Sequence, residues 1–191
     1  MTKLVVAVLA AVVLALAGCS NTATPDAPAP AADSVVHQLG FDGRSAEQIV
    51  QAVDSSPEAR PLGFGASVRD TQLVLTAGER ESSLPLPADR FYLSIAPYRT
   101  QTHECFFHSL ATCQGELAGA DVTVTIVDAR GKVLVDEQTT TYANGFVGFW
   151  LPRDVTGTVT VTHDGRKGSV PFATTAGSPT CLTTLRLTEQ A

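Results

Sequence analysis

The strongest constraint on the fold is a regular alternation of apolar and polar residues in the second half of the chain. Val122, Val124 and Ile126 alternate with Thr123 and Thr125. Because successive side chains of a β-strand point to opposite faces, this alternation is typical of a strand with one buried face. Similar runs recur at intervals of about 8 to 12 residues with Gly-centred turns between them, which is typical of an antiparallel sandwich. The predicted strands of this half are 122–127, 132–141, 146–151, 157–162 and 182–187.

The region before this predicted sandwich carries signals for one helix and several short strands. Ser45 and Gln48 form a capping-box pattern, and the apolar stripe that follows them predicts a helix over 45–54. Prolines beside Leu84 and Leu86 indicate an edge segment or a loop. Alternation also predicts short strands, at 66–69, 72–76 and 90–98.

We therefore expect a mainly β protein with a short N-terminal helix, in the α+β class. We divide it into a small N-terminal α+β lobe over 37–98 and a C-terminal lobe over 99–191, which holds a Cys- and His-containing loop and the β-sandwich. A chain of 191 residues, 44% of them hydrophobic, is large enough to bury such cores. The formal net charge of −6 leaves no basic surface for phosphates, so we expect no nucleic-acid partner.

The first residues have the pattern of an export signal. An apolar run of fourteen residues over 4–17 follows Lys3, and as a helix it is about 21 Å long, too short for a bilayer core of ~30 Å. The run ends in Leu16-Ala17-Gly18-Cys19, which resembles the bacterial lipobox. We therefore expect residues 1–18 to be a lipoprotein signal peptide, with Cys19 lipidated and the protein anchored to the outer face of the cell membrane. An ordinary cleavage site beside an incidental cysteine is the alternative.

The Pro- and Ala-rich segment 19–36 is predicted to be a disordered tether.

One segment concentrates residues that can carry chemistry. His103, Cys105, His108 and Cys113 lie within eleven residues of a chain that has only four cysteines and four histidines. Cys105 and Cys113 are eight residues apart, or about 12 Å along a continuous helix, which is too far for two thiolates to share one ion. The segment must therefore begin from a bend or turn back near residues 109–112, and Cys181 would have to join from the last predicted strand.

Three interpretations of this cluster remain open from the residues alone. A soft metal is one, because thiolates select copper(I) and zinc over hard cations; three thiolates suit copper(I), whereas zinc would want a fourth ligand such as His108. A structural disulfide is another: Cys105, Cys113 and Cys181 are an odd number, so one thiol stays unpaired. Redox catalysis is the third, although no Cys-x-x-Cys motif is present.

Two stretches, Phe91-Tyr92-Leu93-Ser94-Ile95-Ala96-Pro97-Tyr98 and the Cys- and His-rich segment 102–117, closely resemble the CueP family of exported bacterial copper-binding proteins. The resemblance extends from about Val35 to Thr188, and Cys181 falls where that family places its third cysteine. It implies two small β-rich lobes and a metal held by Cys105, Cys113 and Cys181. His103 and His108 match the motif as further candidate ligands.

The resemblance implies a copper-homeostasis or copper-resistance protein of the cell envelope that sequesters or delivers copper(I), with zinc as another ion for the same site. We expect a binding protein rather than an enzyme, with an exported cuproprotein or a thiol oxidoreductase as its partner. The alternatives are a thiol protein that reduces copper(II) or exchanges disulfides, and a structural extracellular domain stabilised by a disulfide or by zinc. The lipobox is a departure from relatives with an ordinary periplasmic signal.

Overall fold

The computed structural model describes residues 34–190, which form two short helices and twelve strands and confirm a mainly β fold with a small helical part. The helices are α1 (Val35–Gln38) and α2 (Ala46–Asp54). The strands are β1 (Gly65–Val68), β2 (Gln72–Ala77), β3 (Arg80–Pro85), β4 (Arg90–Ile95), β5 (His108–Ser109), β6 (Asp121–Asp128), β7 (Val133–Thr140), β8 (Val147–Pro152), β9 (Thr156–His163), β10 (Arg166–Ala173), β11 (Cys181–Leu182) and β12 (Thr188–Glu189).

Helix α2 begins at the predicted capping box. The Ser45 hydroxyl accepts a hydrogen bond from the Gln48 backbone N–H at 3.3 Å, and Oε1 of Gln48 accepts one from the Ser45 N–H at 2.9 Å. These two bonds satisfy N–H groups that the first turn of a helix leaves unpaired. The apolar stripe of the helix, which includes Ile49 and Val53, is buried against the N-terminal sheet.

Helix α1 was not predicted. Ser34 accepts a hydrogen bond from the His37 backbone N–H at 3.2 Å, and Val35 is buried in the N-terminal core. Val35 and Val36, the last residues of the predicted tether, therefore belong to this helix. The remainder of the tether, the signal peptide and Cys19 lie outside the described residues. No helix within residues 34–190 is both apolar enough and long enough to cross a bilayer.

The strands form three sheets. The N-terminal sheet has the order β3-β2-β1-β5 and is antiparallel throughout, with β3 at its edge. A five-stranded antiparallel sheet has the order β12-β10-β9-β6-β7, and a three-stranded sheet has the order β11-β4-β8.

Strand β4 is buried on both of its faces and joins the two main cores. Phe91, Leu93 and Ile95 pack with the five-stranded sheet, whereas Tyr92 points the other way into the core beneath α2. This division follows from the two-residue period of a strand. A third, smaller cluster contains Phe146 and Cys181, and it is where the cysteines collect.

The predicted strand over 182–187 is wrong in extent. Only Cys181 and Leu182 form a strand, which pairs with Ser94 and Ile95 of β4 in parallel. Ala96 donates to the Leu182 carbonyl at 3.0 Å, and Tyr98 then donates to Leu185. The acceptors are thus two residues apart from Thr180 to Leu182 but three apart from Leu182 to Leu185, so one extra residue breaks the regular ladder after Leu182.

Candidate metal centre

The backbone around Phe106 brings the first and last cysteines of the cluster together. The Phe106 carbonyl accepts hydrogen bonds from the Thr180 N–H at 2.9 Å and the Cys181 N–H at 3.2 Å. Cys105 precedes this carbonyl, and it forms a disulfide with Cys181 with a Cα–Cα distance of 5.6 Å. The two half-cystines are 76 residues apart in the chain. The sequence left open which two of the three cysteines would pair, and in the structure the pair is Cys105 and Cys181.

Thr180 holds His108 beside this disulfide. Its hydroxyl donates to the Val68 carbonyl at 2.6 Å and accepts from the His108 backbone N–H at 3.0 Å. Val68 also pairs with His108 in the β1–β5 ladder. Two distant stretches of chain, at Val68 and Thr180, therefore fix the position of His108, whose side chain is fully buried.

Cys113 reaches the cluster through a turn at residues 110–112, which is one of the two arrangements that the spacing allowed. The Cys113 N–H donates to the Ser109 carbonyl at 3.0 Å, and Leu110 and Ala111 anchor the turn in the N-terminal core. Cys113 is a free, half-buried thiol whose Sγ lies 3.6 Å from Sγ of Cys105.

Four of the predicted ligands meet at one point. Nδ1 of His108 is 3.7 Å from Sγ of Cys181. One donor atom each from Cys105, His108, Cys113 and Cys181 lies within 4.8 Å of the others, and we call these four residues the donor cluster. Three sulfurs and one imidazole nitrogen are the donors that copper(I) and zinc prefer, so the residues present fit a soft metal ion.

His103 is not in the donor cluster. Its ring lies edge-on to Phe146 with 6.2 Å between the centroids, whereas the His108 ring is 4.4 Å from the same phenyl. Nε2 of His103 is buried and has no hydrogen-bond partner. His103 therefore stays a predicted ligand. It lies near the donor cluster, and its Nε2 makes no hydrogen bond.

Asp54, at the end of helix α2, is the residue of this site that sequence reasoning missed. It is fully buried, and its Oδ1 is 2.9 Å from Nε2 of His108. One sequence feature could have indicated it: Asp54 is four residues after Val50, so it is an acidic residue on the apolar face of the helix. A carboxylate that accepts a hydrogen bond from a histidine orients the imidazole ring, so Asp54 positions the ring of His108.

The remaining lone pairs of Asp54 are also satisfied. Oδ1 accepts a further hydrogen bond from Nδ2 of Asn144 at 2.7 Å. Oδ2 accepts from the Tyr92 hydroxyl at 2.7 Å and from the Ser94 hydroxyl at 3.4 Å. A buried carboxylate is tolerated only when it is paired and hydrogen-bonded in this way.

The electrostatics favour an ion pair between Asp54 and His108. Burial acts to lower the pKa of His108, but the charge of Asp54 and its hydrogen bond outweigh burial and raise the pKa to about 9. Burial acts to raise the pKa of Asp54, and the charge of His108 with the hydrogen bonds from His108, Tyr92 and Asn144 outweighs it, so the pKa lies below the usual value. The proton on Nδ1 of His108 consequently competes with any ion for that nitrogen.

A tight turn places Asn144 and Phe146 against the cluster. Gly145 has φ +79° and lies against the backbone of Gly115, whose carbonyl would be 2.5 Å from a Cβ at Gly145. Oδ1 of Asn144 accepts from the Phe146 N–H at 3.0 Å, which leaves its Nδ2 directed at Asp54. Only glycine combines this φ with so close an approach.

Comparison with known proteins identifies the family. Residues 48–186 match the sequence model of a family described as the periplasmic copper-binding protein CueP. The chain belongs to the CueP family. A solved structure titled "Crystal Structure of S.CueP" superposes with a TM-score of 0.78 at 46% sequence identity, covering 80% of this chain and 94% of that one. No curated protein matches the chain.

Membership of the CueP family confirms the resemblance noted in segments 91–98 and 102–117. The family description also supports the predicted location outside the cytoplasm. The described residues add to this a cluster of soft donors, which come from β5, from the loops on either side of β5 and from β11.

Proposed function

We propose that this protein binds copper(I) in the cell envelope through the thiolates of Cys105, Cys113 and Cys181, with Nδ1 of His108 as a fourth donor. The observation that carries the proposal is the convergence of these four donor atoms to within 4.8 Å of one another. Three sulfur donors suit a soft ion such as copper(I), and a set of three cysteines and one histidine also suits zinc, so the choice of copper rests on the family. The family description supports copper as the metal.

Copper binding by all three cysteines requires that the Cys105–Cys181 disulfide is first reduced. Two electrons and two protons from a dithiol convert the bridge into two thiols, and the dithiol becomes a disulfide. Cys113 is already free and lies 3.6 Å from Cys105, so reduction completes the set of donors without a large movement of the chain. We therefore propose an exported thiol oxidoreductase as one partner and an exported copper protein as the acceptor.

The same disulfide favours a second candidate function, the reduction of copper(II). The thiolates of Cys105 and Cys181 can give one electron each to two copper(II) ions, forming the disulfide and two copper(I) ions. Cys105 and Cys181 form a disulfide in the structure, which is the product this reaction would give. One equivalent of protein would then reduce two equivalents of copper(II) and stop unless a reductant regenerates the thiols.

Anchoring to the membrane is a further part of the proposal and rests on the sequence around Cys19. The lipobox-like segment 16–19 supports cleavage after residue 18 and lipidation of Cys19. Two or more acyl chains are sufficient for stable anchoring. Substitution Cys19→Ser should release the protein from the membrane fraction, and equal membrane retention of both forms would contradict the anchor.

The metal proposal is tested by competition with a coloured copper(I) chelator under anaerobic conditions. Reduced wild-type protein should remove copper(I) from the chelator, and Cys113→Ser or Cys181→Ser should weaken binding by at least about tenfold. The matched control is the oxidised wild-type chain, in which only Cys113 is free and binding should also be weak. Equal affinity of the reduced and oxidised forms, or of the variants and wild type, would contradict the proposal.

A further inference from the structure

We infer that His103 and Cys105, the member of the donor cluster that borders an open cavity, form a transient entry site, which holds copper(I) before the other donors bind it. The inference rests on the proposed copper(I) function and deepens it, because it concerns the route of the ion and not its resting place.

The burial of the donor cluster restricts where an ion can enter. His108 has no exposed surface and Cys181 is 3% exposed, whereas Cys105 and Cys113 are only half-buried. An incoming ion therefore meets Cys105 or Cys113 before it meets the other two ligands. Of these two residues, Cys105 borders a cavity of about 320 Å³ that is open to solvent.

The walls of this cavity suit a cation. Glu104 contributes an exposed carboxylate, and no lysine or arginine is among the lining residues. A cleft lined by one sign of charge raises the local concentration of an oppositely charged species. The lining residues are Tyr98, Thr102, His103, Glu104, Cys105, Thr183 and Thr184.

His103 supplies the second donor of the entry site. Its Nε2 is the one buried side-chain nitrogen or oxygen of residues 34–190 that lacks a hydrogen-bond partner. Leaving a buried polar atom unpaired costs free energy, and such atoms in folded proteins call for an explanation. An ion that visits the cavity beside Cys105 provides one.

The local backbone keeps His103 at this position and apart from His108. The Thr102 hydroxyl donates to the Thr183 carbonyl at 2.7 Å, which ties the segment before His103 to the strand-like chain after β11. Phe146 contacts both imidazoles, at 6.2 Å from His103 and 4.4 Å from His108. His103 is therefore held at the cavity and outside the donor cluster.

The transfer is a sequence of ligand exchanges with no change in oxidation state. Copper(I) first binds the Cys105 thiolate and Nε2 of His103. The thiol of Cys113 or Cys181 then loses its proton to water and forms a copper–sulfur bond, and the bond from copper(I) to His103 breaks. Release to an acceptor follows the same steps in reverse.

The test measures rates and affinity separately in variants of matched size. His103→Leu removes the donor, whereas His103→Met replaces it with a thioether, which is a soft ligand for copper(I). His163→Leu is the control, because His163 lies far along the chain on the sandwich, where its Nδ1 contacts the Asp121 carbonyl at 2.7 Å. Stopped-flow mixing of reduced protein with the copper(I)–chelator complex gives the uptake rate, and chelator titration gives the affinity.

We expect His103→Leu to slow uptake and release by about tenfold each with an affinity within about threefold of wild type, and His103→Met to restore both rates. Unchanged rates in His103→Leu would overturn the inference. A loss of affinity that matches the loss of rate would also overturn it, because His103 would then be a resident ligand. If reduced wild-type protein takes up no copper(I), the proposed function fails together with the inference. If wild-type protein takes up copper(I) and His103→Leu takes it up at the same rate, the inference fails and the proposed function stands.

Discussion

Replacing Asp54 by asparagine removes the charge that pairs with His108 while keeping the size of the side chain. The pKa of His108 is raised from 6.5 to about 9, and a shift of this size corresponds to about 3 kcal/mol of stability, since each unit is worth about 1.4 kcal/mol. Breaking a buried ion pair by removing one partner costs about 3–5 kcal/mol, which agrees with this value. We expect Asp54→Asn to lower the free energy of unfolding by about 3 kcal/mol near pH 6.

The raised pKa of His108 also determines how the stability difference between wild type and Asp54→Asn changes with pH. A group whose pKa is raised by folding stabilises the protein fully below its unfolded pKa, here 6.5, and this contribution is lost as the pH rises through about 9. The difference between wild type and Asp54→Asn should therefore be largest near pH 6 and should shrink above pH 9. Urea unfolding of the oxidised proteins at pH values from about 6 to about 10 measures it.

A matched control for this measurement is available in the same helix. Glu47→Gln removes the same charge from a partly exposed ion pair with Arg90 at 2.6 Å, and such pairs contribute about 0–1 kcal/mol. Its effect should be small. The reasoning is refuted if Asp54→Asn shows a pH profile parallel to that of wild type, because the ion pair with His108 would then not exist.

Two further predictions concern the turns that support the site. Gly145→Ala should destabilise the protein by at least about 2 kcal/mol, because it places a Cβ at φ +79° and 2.5 Å from the Gly115 carbonyl; Gly78→Ala, at φ +60° with no atom within 4 Å, should cost less in the same urea experiment. Hydrogen bonds from the Thr100 hydroxyl and from the backbone of residues 99–101 lower the pKa of Glu116 to about 2. Glu116→Gln should therefore speed hydrogen exchange at these amides near neutral pH, and wild type should show the same change only as the pH falls toward about 2; equal protection in the variant would contradict the role of this carboxylate.

The features that the sequence predicted correctly are those encoded locally. The capping box located the start of helix α2, and alternation located β6 and β9, because both signals depend on residues a few positions apart. The concentration of cysteine and histidine in a chain otherwise poor in both singled out four residues that lie together in the structure, and their role as ligands stays a prediction. The eight-residue spacing of Cys105 and Cys113 excluded a continuous helix and allowed either a bend or a turn near residues 109–112, and the turn is found at residues 110–112.

The features that were missed depend on contacts between distant residues. Asp54 and His108 are 54 residues apart, and their hydrogen bond exists only because β5 joins the N-terminal sheet. The disulfide joins Cys105 to Cys181 across 76 residues, and the backbone hydrogen bonds of the Phe106 carbonyl hold these two stretches together. Spacing along the chain carries no information on such pairings, which are decided by tertiary packing.

X-ray absorption at the copper edge, on reduced protein loaded anaerobically with one equivalent of copper(I), tests the central claim most directly. We expect an edge typical of copper(I) and a first coordination shell dominated by sulfur, with three sulfur neighbours. Cys113→Ser and Cys181→Ser should each remove one sulfur from that shell. A shell made only of nitrogen and oxygen, or spectra that do not change in the two variants, would contradict a site built from the three cysteines.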